Sequence, residues 1–421
     1  MWLKNPAASQ VISGRTEQRI MIPVEEARAR ILASVSPTMA ETVSIAEAHG
    51  RVLAVNVQAR VTQPPHDVSA MDGYAVRCAD AIADARLTVI GAAPAGHPFS
   101  GKVETGQAVR LFTGSVVPQG ADTILLQEEA QRQDDIVIPA ETVRPDRHIR
   151  RQGQDFTVDQ TVLESGRILT ARDIGLAAAA NIPWLAVHRR PRVAVLATGD
   201  EIALPGEPLP PGGIVSSNSH MLAAMIRAAG GDPILLPLSG DDSDTIRVRA
   251  EAATKSDLLI TIGGASVGDH DLVRSALGEH GGLTLDFWKI AMRPGKPLMH
   301  GQLAGTPLIG LPGNPVSAYV CALLFVLPAL EVLRGLPASS LRTQPARLAA
   351  PLRANDHRTD FMRGIVTQTE SGPVVEAFPV QDSSMLSTLA RANALIMRPP
   401  HAPQAATGEI VSVLPLDSAG L

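Results

Sequence analysis

The strongest constraint on the fold is a repetition of strand and helix patterns between Arg192 and Gly335. Short runs of Val, Ile and Leu are typical of buried strands, and they occur at 192–197, 233–238, 258–262 and 307–309. Strands that do not alternate polar and apolar residues are buried on both faces, as in a parallel sheet covered by helices. The pattern therefore predicts a doubly wound α/β domain, in which Asn218 caps a helix at 219–229.

Polar and glycine-rich segments follow the predicted strands of this domain. In doubly wound sheets, ligands bind beyond the carboxyl ends of the strands. We therefore expect one rim to gather the following residues: Glu201, Asp241, Asp242, Ser266, Asp269, Asp271 and Asn314.

The flanking regions predict further domains. Upstream, 23–34 and 40–49 are predicted helices, whereas 64–75 and 111–129 are dense in turn residues. Downstream of Leu336, short strands are predicted at 361–367, 374–378, 394–398 and 410–414. The predicted fold is thus α/β and multidomain. Its parts are an elongated mixed α/β region at 16–190 with an inserted β-rich domain at about 55–150, the doubly wound parallel sheet domain at 191–335, and a small β-barrel-like domain at 341–421.

Charge and composition exclude several classes of protein. A net charge of −5 and an aromatic content of 3% argue against nucleic-acid binding, which uses cations and stacking rings. Cys78 and Cys321 are the only cysteines and lie far apart, so neither a disulfide framework nor a structural zinc site is indicated. The longest apolar run, 316–330, is shorter than a bilayer span and contains Pro328. We expect a cytoplasmic protein with neither nucleic-acid nor membrane partners.

The glycine-rich segment 263–271 has three interpretations. Its Gly-x-x-x-x-Gly spacing is that of a phosphate-binding P-loop, but Asp269 and His270 replace the required Lys and Ser/Thr, which excludes a nucleotide triphosphatase. The backbone amides of such a turn can still bind an oxyanion. Gly-x-Ser-x-Gly around Ser266 also matches the nucleophile elbow of serine hydrolases, and a structural turn with Ser266 as a helix cap is the third possibility.

A second segment, 286–297, concentrates positive charge beside Gly and Pro. Lys289, Arg293 and Lys296 could neutralise a polyanionic ligand, although a solvated basic loop has the same pattern. Trp288 could pack on a planar ligand or lie in the core.

Taken together, these motifs resemble the molybdopterin molybdenumtransferase family, whose members are similar to the E domain of the scaffold protein gephyrin. The matching segments follow one another at 50–54, 69–75, 112–122, 151–155, 198–201, 263–271, 293–297 and 310–315. Two positions depart from the family pattern: Arg293 stands where Lys is common, and Val68 replaces a residue that is often polar.

The resemblance implies that molybdate, aided by Mg²⁺, is exchanged for AMP on adenylylated molybdopterin, and that the sheet domain is of the molybdopterin-binding type. It implies catalytic, metal-binding carboxylates at Asp72, Glu201, Asp241 and Asp271. Further implied contacts to cofactor or anion are Thr113, Asp155, Gly263, Gly264, Ser266, Gly268, Lys289, Arg293, Lys296, Pro312, Asn314, Pro315, Arg363 and Ser383.

The resemblance also implies partners. It implies a homodimer whose cleft lies between the sheet domain of one subunit and the Asp72 and Thr113 loops of the other. Molybdopterin adenylyltransferase and a molybdoenzyme or chaperone are further implied partners. Two alternatives remain at this point, namely a non-catalytic scaffold that binds pterin or a partner, and a serine hydrolase that uses Ser266.

Overall fold

The computed structural model describes residues 21–263, 272–278, 282–287 and 289–416. Internal contacts divide the chain into two compact units, Ala40–His188 and the remainder, which joins Arg189–Leu421 to Met1–Met39. Within the second unit, the helix α1 (Val24–Ala33) buries Val24, Ala27 and Ile31 in the same core as the long helix described below.

The unit Ala40–His188 is mostly β-structure. Its elements are β1 (Ala40–Ser44), β2 (Val57–Gln58), β3 (Val68–Ser69), β4 (Gly73–Val76), β5 (Leu87–Ala93), β6 (Gln107–Leu111), β7 (Thr123–Leu126), β8 (Ala130–Gln133), β9 (Ile136–Pro139), β10 (Ile149–Arg150), β11 (Thr161–Leu163), α2 (Ala171–Ala179) and β12 (Trp184–His188). A six-stranded sheet with the order β7-β4-β6-β5-β9-β8 is accompanied by the two-stranded pairs β1-β12, β10-β3 and β11-β2.

The predicted helix at 40–49 is wrong. Residues Ala40–Ser44 form β1, and only the short 3₁₀ turn Ile45–Glu47 follows. β1 pairs antiparallel with β12, from Ala40 opposite His188 to Ser44 opposite Trp184. A partner strand so distant in sequence overrides the local helix preference of Ala and Glu, because propensity is weaker than tertiary pairing.

The other unit contains the predicted sheet domain. Its elements are β13 (Arg192–Ala197), β14 (Ile202–Ala203), β15 (Ile214–Val215), α3 (Asn218–Ala228), β16 (Asp232–Leu235), α4 (Ser243–Ala252), β17 (Leu258–Ile262), α5 (Leu272–Gly278), β18 (Leu283–Phe287), β19 (Met292–Arg293), β20 (Met299–Leu303), β21 (Thr306–Leu311), α6 (Pro315–Cys321) and α7 (Leu327–Leu333). The sheet order is β16-β13-β17-β21-β20-β18. The first four strands are parallel, and β20 and β18 extend the sheet in antiparallel fashion.

Helices cover both faces of this sheet, which confirms the doubly wound prediction. Val193 and Val195 of β13 pack into one core with α3, α6 and α7, whereas Ala194 and Leu196 pack into another with α4 and α5. A π turn at Ala322–Val326 joins α6 to α7, so that Pro315–Leu333 is one helix. By length and composition this helix could cross a membrane, but 78% of its apolar window is buried, so its side chains form protein core.

The C-terminal residues form a small barrel. Its elements are β22 (Gln344–Leu348), β23 (Thr359–Thr369), β24 (Gly372–Ala377), α8 (Leu386–Arg391), β25 (Ala394–Arg398) and β26 (Ile410–Pro415). The strands run in the order β23-β24-β22-β26-β25, and β25 pairs back with β23, which closes the barrel. β19 adds to the outside of β23, so this barrel and the sheet domain share backbone hydrogen bonds. The β-barrel-like prediction is confirmed.

Candidate functional site

The candidate site lies at the carboxyl ends of β13, β17 and β21. The amide of Thr198 donates to Ile262 O at 3.0 Å, and the amide of Gly263 donates to Leu311 O at 3.3 Å. Gly263 has φ +83°, and a Cβ there would lie 2.8 Å from Thr198 O. Only glycine fits this junction, so the strand ends can meet closely beneath the rim.

A cavity of about 640 Å³ opens above these strand ends. It is lined by Ala197, Thr198, Glu201, Ile202, Ile214, Val215, Ser216, Ser217, Asn218, Ser219, Ile262, Gly263, Pro297, Pro312, Gly313, Asn314, Pro315, Ser384 and Leu386. The lining includes the first residues of α3 and α6. Neither helix has a side-chain cap at Ser217 or Asn314, and neither has an acidic residue in its first turn. At α6, Pro315 has no N–H and the Val316 amide is already bonded to Ser383 O, so the free N–H groups lie mainly at the start of α3, where they favour an anionic ligand.

Two of the predicted carboxylates lie at this rim. Glu201 lines the cavity, and its carboxylate packs over Gly199, where a Cβ would lie 2.4 Å from Oε2. Asp241 follows β16, and its amide donates to Asp200 Oδ1 at 2.9 Å. Both side chains are exposed, and neither carboxylate has a partner among the described residues. The neighbouring Asp242 has a structural role instead, since it accepts from Thr245 N at 2.7 Å and caps α4.

Asn314 and Ser383 meet although they are far apart in sequence. Asn314 Nδ2 donates to Ser383 Oγ at 2.9 Å, and the Val316 amide donates to Ser383 O at 3.0 Å. Pro312 and Pro315 flank this contact and line the cavity. The segment after β24 therefore completes the rim at the start of α6.

Arg363 lies below this segment and is 1% exposed. Its Nη1 donates to Met385 O at 3.2 Å, and it has no carboxylate ion-pair partner in the part of the chain that the structure describes. Burial lowers the pKa of the guanidinium, although Asp382 opposes this effect. A cation held this way supports the backbone near Ser383.

The three predicted cations of the segment 286–297 have different surroundings. Arg293 is bound by carboxylates: Nε donates to Asp360 Oδ1 at 2.9 Å, and Nη1 lies 3.5 Å from Asp356 Oδ2. The hydrogen bond from Arg293 to Asp360 raises the pKa of the guanidinium above its usual range. Lys289 and Lys296 lie on one turn, in which the Ile290 amide donates to Lys296 O at 3.1 Å. Pro297, next to Lys296, lines the rim cavity, whereas Arg293 and Arg363 line a second cavity of about 810 Å³ beside the barrel.

Asp72 and Thr113 belong to the unit Ala40–His188 and touch each other there. Asp72 Oδ1 accepts from Thr113 N at 2.7 Å and from Thr113 Oγ1 at 2.8 Å. The backbone hydrogen bond from Thr113, followed by that from its hydroxyl, lowers the pKa of Asp72. Asp155 lies in the same unit with an exposed side chain, and its amide donates to Gln63 O at 3.0 Å.

Several predicted positions lie outside the described residues: Gly264, Ser266, Gly268, Asp269, Asp271 and Trp288. The oxyanion-binding turn, the nucleophile elbow and the rim carboxylates Asp269 and Asp271 therefore stay predictions.

One rim residue has a role that the sequence did not reveal. Asn218 does not cap α3, because Ser217 occupies the cap position and Asn218 is the first helical residue. Its Nδ2 instead donates to Gly313 O at 2.6 Å and fixes the loop before α6. The run Ser-Ser-Asn before a helix signals a cap but does not indicate which of these side chains faces a neighbouring loop.

Family models cover most of the chain. The MoeA N-terminal region (domain I and II) matches residues 22–181, a probable molybdopterin binding domain matches 194–332, and the MoeA C-terminal region (domain IV) matches 345–416.

Whole-chain relatives agree with these models. A molybdopterin molybdenumtransferase 2 of Mycobacterium tuberculosis is 38% identical over 88% of this chain and 94% of its own length. A molybdopterin molybdenumtransferase of Haemophilus influenzae is 33% identical over 94% of this chain and 99% of its own length. Crystal structures of a molybdopterin biosynthesis MoeA protein from Pyrococcus horikoshii align with TM-scores of 0.83 and 0.79 at 28% identity, and each alignment covers 94% of this chain and 99% of the other.

Proposed function

Because the chain belongs to the molybdopterin molybdenumtransferase family, we propose that it transfers molybdenum from molybdate to adenylylated molybdopterin and releases AMP. It is a transferase of molybdenum cofactor biosynthesis. The rim cavity carries the proposal, since it combines the exposed carboxylate of Glu201 with two helix N-termini that have no side-chain cap, in a space of about 640 Å³. The comparisons favour neither the scaffold nor the serine hydrolase alternative.

The anionic part of the substrate is proposed to lie over the first turns of α3 and α6. The free N–H groups at the start of α3 and the positive dipole ends of both helices would stabilise phosphate oxygens. Lys289, Lys296 and Arg363 are proposed to add positive charge and Ser383 a hydroxyl donor, whereas the Thr113 hydroxyl donates to Asp72 and is proposed to act at the cleft through this carboxylate. The amides and hydroxyl of Gly264, Ser266 and Gly268 are proposed to bind a further oxyanion, and Asp155 is proposed to act at the same cleft.

Mg²⁺ is proposed as the metal of this site. Among the described residues no group of three or more His, Cys, Asp or Glu side chains is placed to hold a metal ion. Mg²⁺ binds through carboxylate oxygens and completes its shell with water and substrate phosphates. Glu201 and Asp241 are exposed oxygen donors and would hold it, with Asp72 and Asp271 as further proposed ligands. When bound, the ion would offset phosphate charge.

The assembly is proposed to be a cytoplasmic homodimer, in which Asp72 and Thr113 of one subunit face the rim of the other. Molybdopterin adenylyltransferase would supply the adenylylated substrate, and a molybdoenzyme or chaperone would accept the product.

The test of the function is direct. The purified protein is supplied with adenylylated molybdopterin, molybdate and Mg²⁺, and AMP release and active cofactor are measured. Asp241→Asn is expected to lower kcat by about tenfold or more, because it removes a proposed ligand of the metal ion that would offset phosphate charge. Asp244→Asn, a carboxylate of α4 whose side chain is 89% exposed, is the matched control and is expected to leave kcat unchanged. A folded wild-type protein that releases no AMP would overturn the proposal.

Metal binding is tested separately by calorimetry with Mg²⁺ alone. Asp241→Asn is expected to weaken binding, whereas Asp244→Asn is not. Equal affinity in both variants would remove Asp241 from the proposed ligands.

A further inference from the structure

The half-buried side chain of Arg110 is held by two aromatic rings and by hydrogen bonds. Tyr74 and Arg110 are directly opposite each other in the β4-β6 pair, and Phe112 follows two residues after Arg110. Side chains at these positions share one face of a sheet. The guanidinium carbon lies 5.1 Å from the Tyr74 ring centroid and 4.9 Å from that of Phe112. Two aromatic rings therefore restrict the orientation of one cation.

The hydrogen bonds of Arg110 lead to the backbone that carries Asp72. Its Nη1 donates to Gly73 O at 3.0 Å, and its Nη2 donates to Gln127 Oε1. The amide of Gln127 in turn donates to Asp72 O at 3.3 Å. Arg110 thus restrains both peptide units next to Gly73. It binds the carbonyl of Gly73 directly, and it reaches the carbonyl of Asp72 through Gln127.

The backbone at Gly73 cannot move toward the neighbouring strand. A Cβ at Gly73 would lie 2.2 Å from Leu125 O, so β4 and β7 are already in close contact. On the other side, Thr113 donates twice to the Asp72 carboxylate. Arg110 supplies the remaining restraint from the sheet face, and its charge also attracts the Asp72 carboxylate.

From these contacts we infer that Arg110 is a positioning residue, which holds the Asp72 carboxylate in a single orientation. The inference rests on the proposed function for its consequence in catalysis, whereas the contacts themselves are properties of the free protein. Lysine at this position would keep the charge but would lose the planar fork that reaches both Gly73 and Gln127.

The experiment compares Arg110→Gln and Arg110→Lys with Arg132→Gln. Arg132 lies on β8 of the same sheet, and its side chain bonds only to Asp134 O among the described residues, which makes it a matched control. Hydrogen exchange of the Thr113 and Gln127 amides is measured on each folded protein, together with kcat and KM for AMP release.

Arg110→Gln is expected to speed exchange of the Thr113 and Gln127 amides by about tenfold, because both donate to Asp72. It is expected to lower kcat by about tenfold or more with KM nearly unchanged, because a misplaced catalytic group affects the chemical step. Arg110→Lys should show a smaller rise in exchange rate and a smaller fall in kcat than Arg110→Gln. Arg132→Gln should resemble wild type.

Three results would overturn the inference. A raised KM with unchanged kcat would make Arg110 a substrate-binding residue. Slower turnover without faster exchange would show that it does not act through Asp72, and faster exchange with normal turnover would limit it to a structural role. Failure of the proposed function is distinguishable, because wild type would then release no AMP while the exchange rates still report on the Arg110 contacts.

Discussion

Glu201 depends on the glycine two residues before it. Gly199 has φ +139° and ends the turn after β13, where its amide donates to Ser239 O at 3.0 Å. The missing side chain leaves room for the Glu201 carboxylate, since a Cβ at Gly199 would lie 2.4 Å from Oε2 and 2.8 Å from Oε1. Real Cβ atoms do not approach so closely, so any larger residue would displace the carboxylate.

Gly199→Ala is therefore expected to lower AMP release by about tenfold or more, because it moves the Glu201 carboxylate, a ligand of the proposed metal site. Gly206→Ala is the matched control: Gly206 also has a positive φ, +92°, but a Cβ added there would meet no atom within 4 Å. Both substitutions should cost about 1–2 kcal/mol of folding free energy from backbone strain, and only Gly199→Ala should reduce kcat. Equal turnover in the two variants would show that Glu201 does not depend on this space.

At the residue level, the sequence predicted the rim carboxylates because glycine and acidic residues follow buried strands, and in a parallel sheet those positions converge. It did not predict the bond from Asn218 to Gly313 or the bridge from Arg110 to Gly73. Both join segments whose approach depends on tertiary structure. Periodicity places a side chain on a face, but it does not name the atom that the side chain will contact.

Among the elements, α2 shows how a single carboxylate fixes a helix start. Asp173 Oδ2 accepts from Thr170 N and from Thr170 Oγ1, each at 2.7 Å, and Oδ1 lies 2.8 Å from Arg167 Nη2. Burial opposes ionisation, but the Thr170 bonds and the Arg167 charge outweigh it, so the pKa of Asp173 is lowered. The ionised carboxylate therefore stabilises the folded unit.

Asp173→Asn is expected to cost about 1–3 kcal/mol at pH 7, because it removes charge-assisted hydrogen bonds from a buried site. A carboxyl with a lowered pKa in the folded state stabilises fully above its unfolded pKa of about 4 and loses this effect as pH falls through the folded value. The difference in thermal midpoint between wild type and variant should therefore shrink below about pH 4. Asp135→Asn, an exposed aspartate of the same unit, should show no comparable difference.

The helix Pro315–Leu333 allows a second test at this scale. Leu324 is fully buried in the core that α3, α6 and α7 form with one face of the sheet, whereas its neighbour Leu323 is only partly buried. Leu324→Ala should cost about 2–5 kcal/mol, because it removes buried atoms and leaves a cavity. Leu323→Ala should cost clearly less, and denaturation of the full chain measures both. Equal losses would contradict the burial assigned to this helix.

The sequence pattern predicted the strands in which nearly every residue is buried. The runs at 192–197 and 258–262 became β13 and β17, because strands buried on both faces are continuously apolar. β18 and β20 were not predicted; they lie on either side of the cationic segment 286–297 and extend the sheet in antiparallel fashion. β1 was misassigned because its partner, β12, lies at the far end of the unit. The local pattern of apolar and polar residues does not indicate which distant strand a segment will pair with.

At the scale of the whole molecule, the predicted site residues are divided between the two units. Asp72, Thr113 and Asp155 belong to Ala40–His188, whereas Glu201, Asp241 and Asn314 belong to the unit that contains the parallel sheet. Within the first group Thr113 binds Asp72, and within the second Asn314 binds Ser383. The proposed homodimer would supply the two groups to one cleft from different subunits, which makes the proposal testable without a structure of the complex.

Complementation between inactive variants tests this arrangement. Asp72→Ala and Glu201→Gln homodimers are each expected to be inactive. After subunit exchange, a mixed dimer has one cleft with both substitutions and one with neither, so random mixing should restore about a quarter of wild-type AMP release. Glu201→Gln mixed with Asp241→Asn is the control, because both changes lie on the same unit and every cleft keeps one defect. No recovery in the first mixture, with subunit exchange demonstrated, would mean that Asp72 and Glu201 act within one chain.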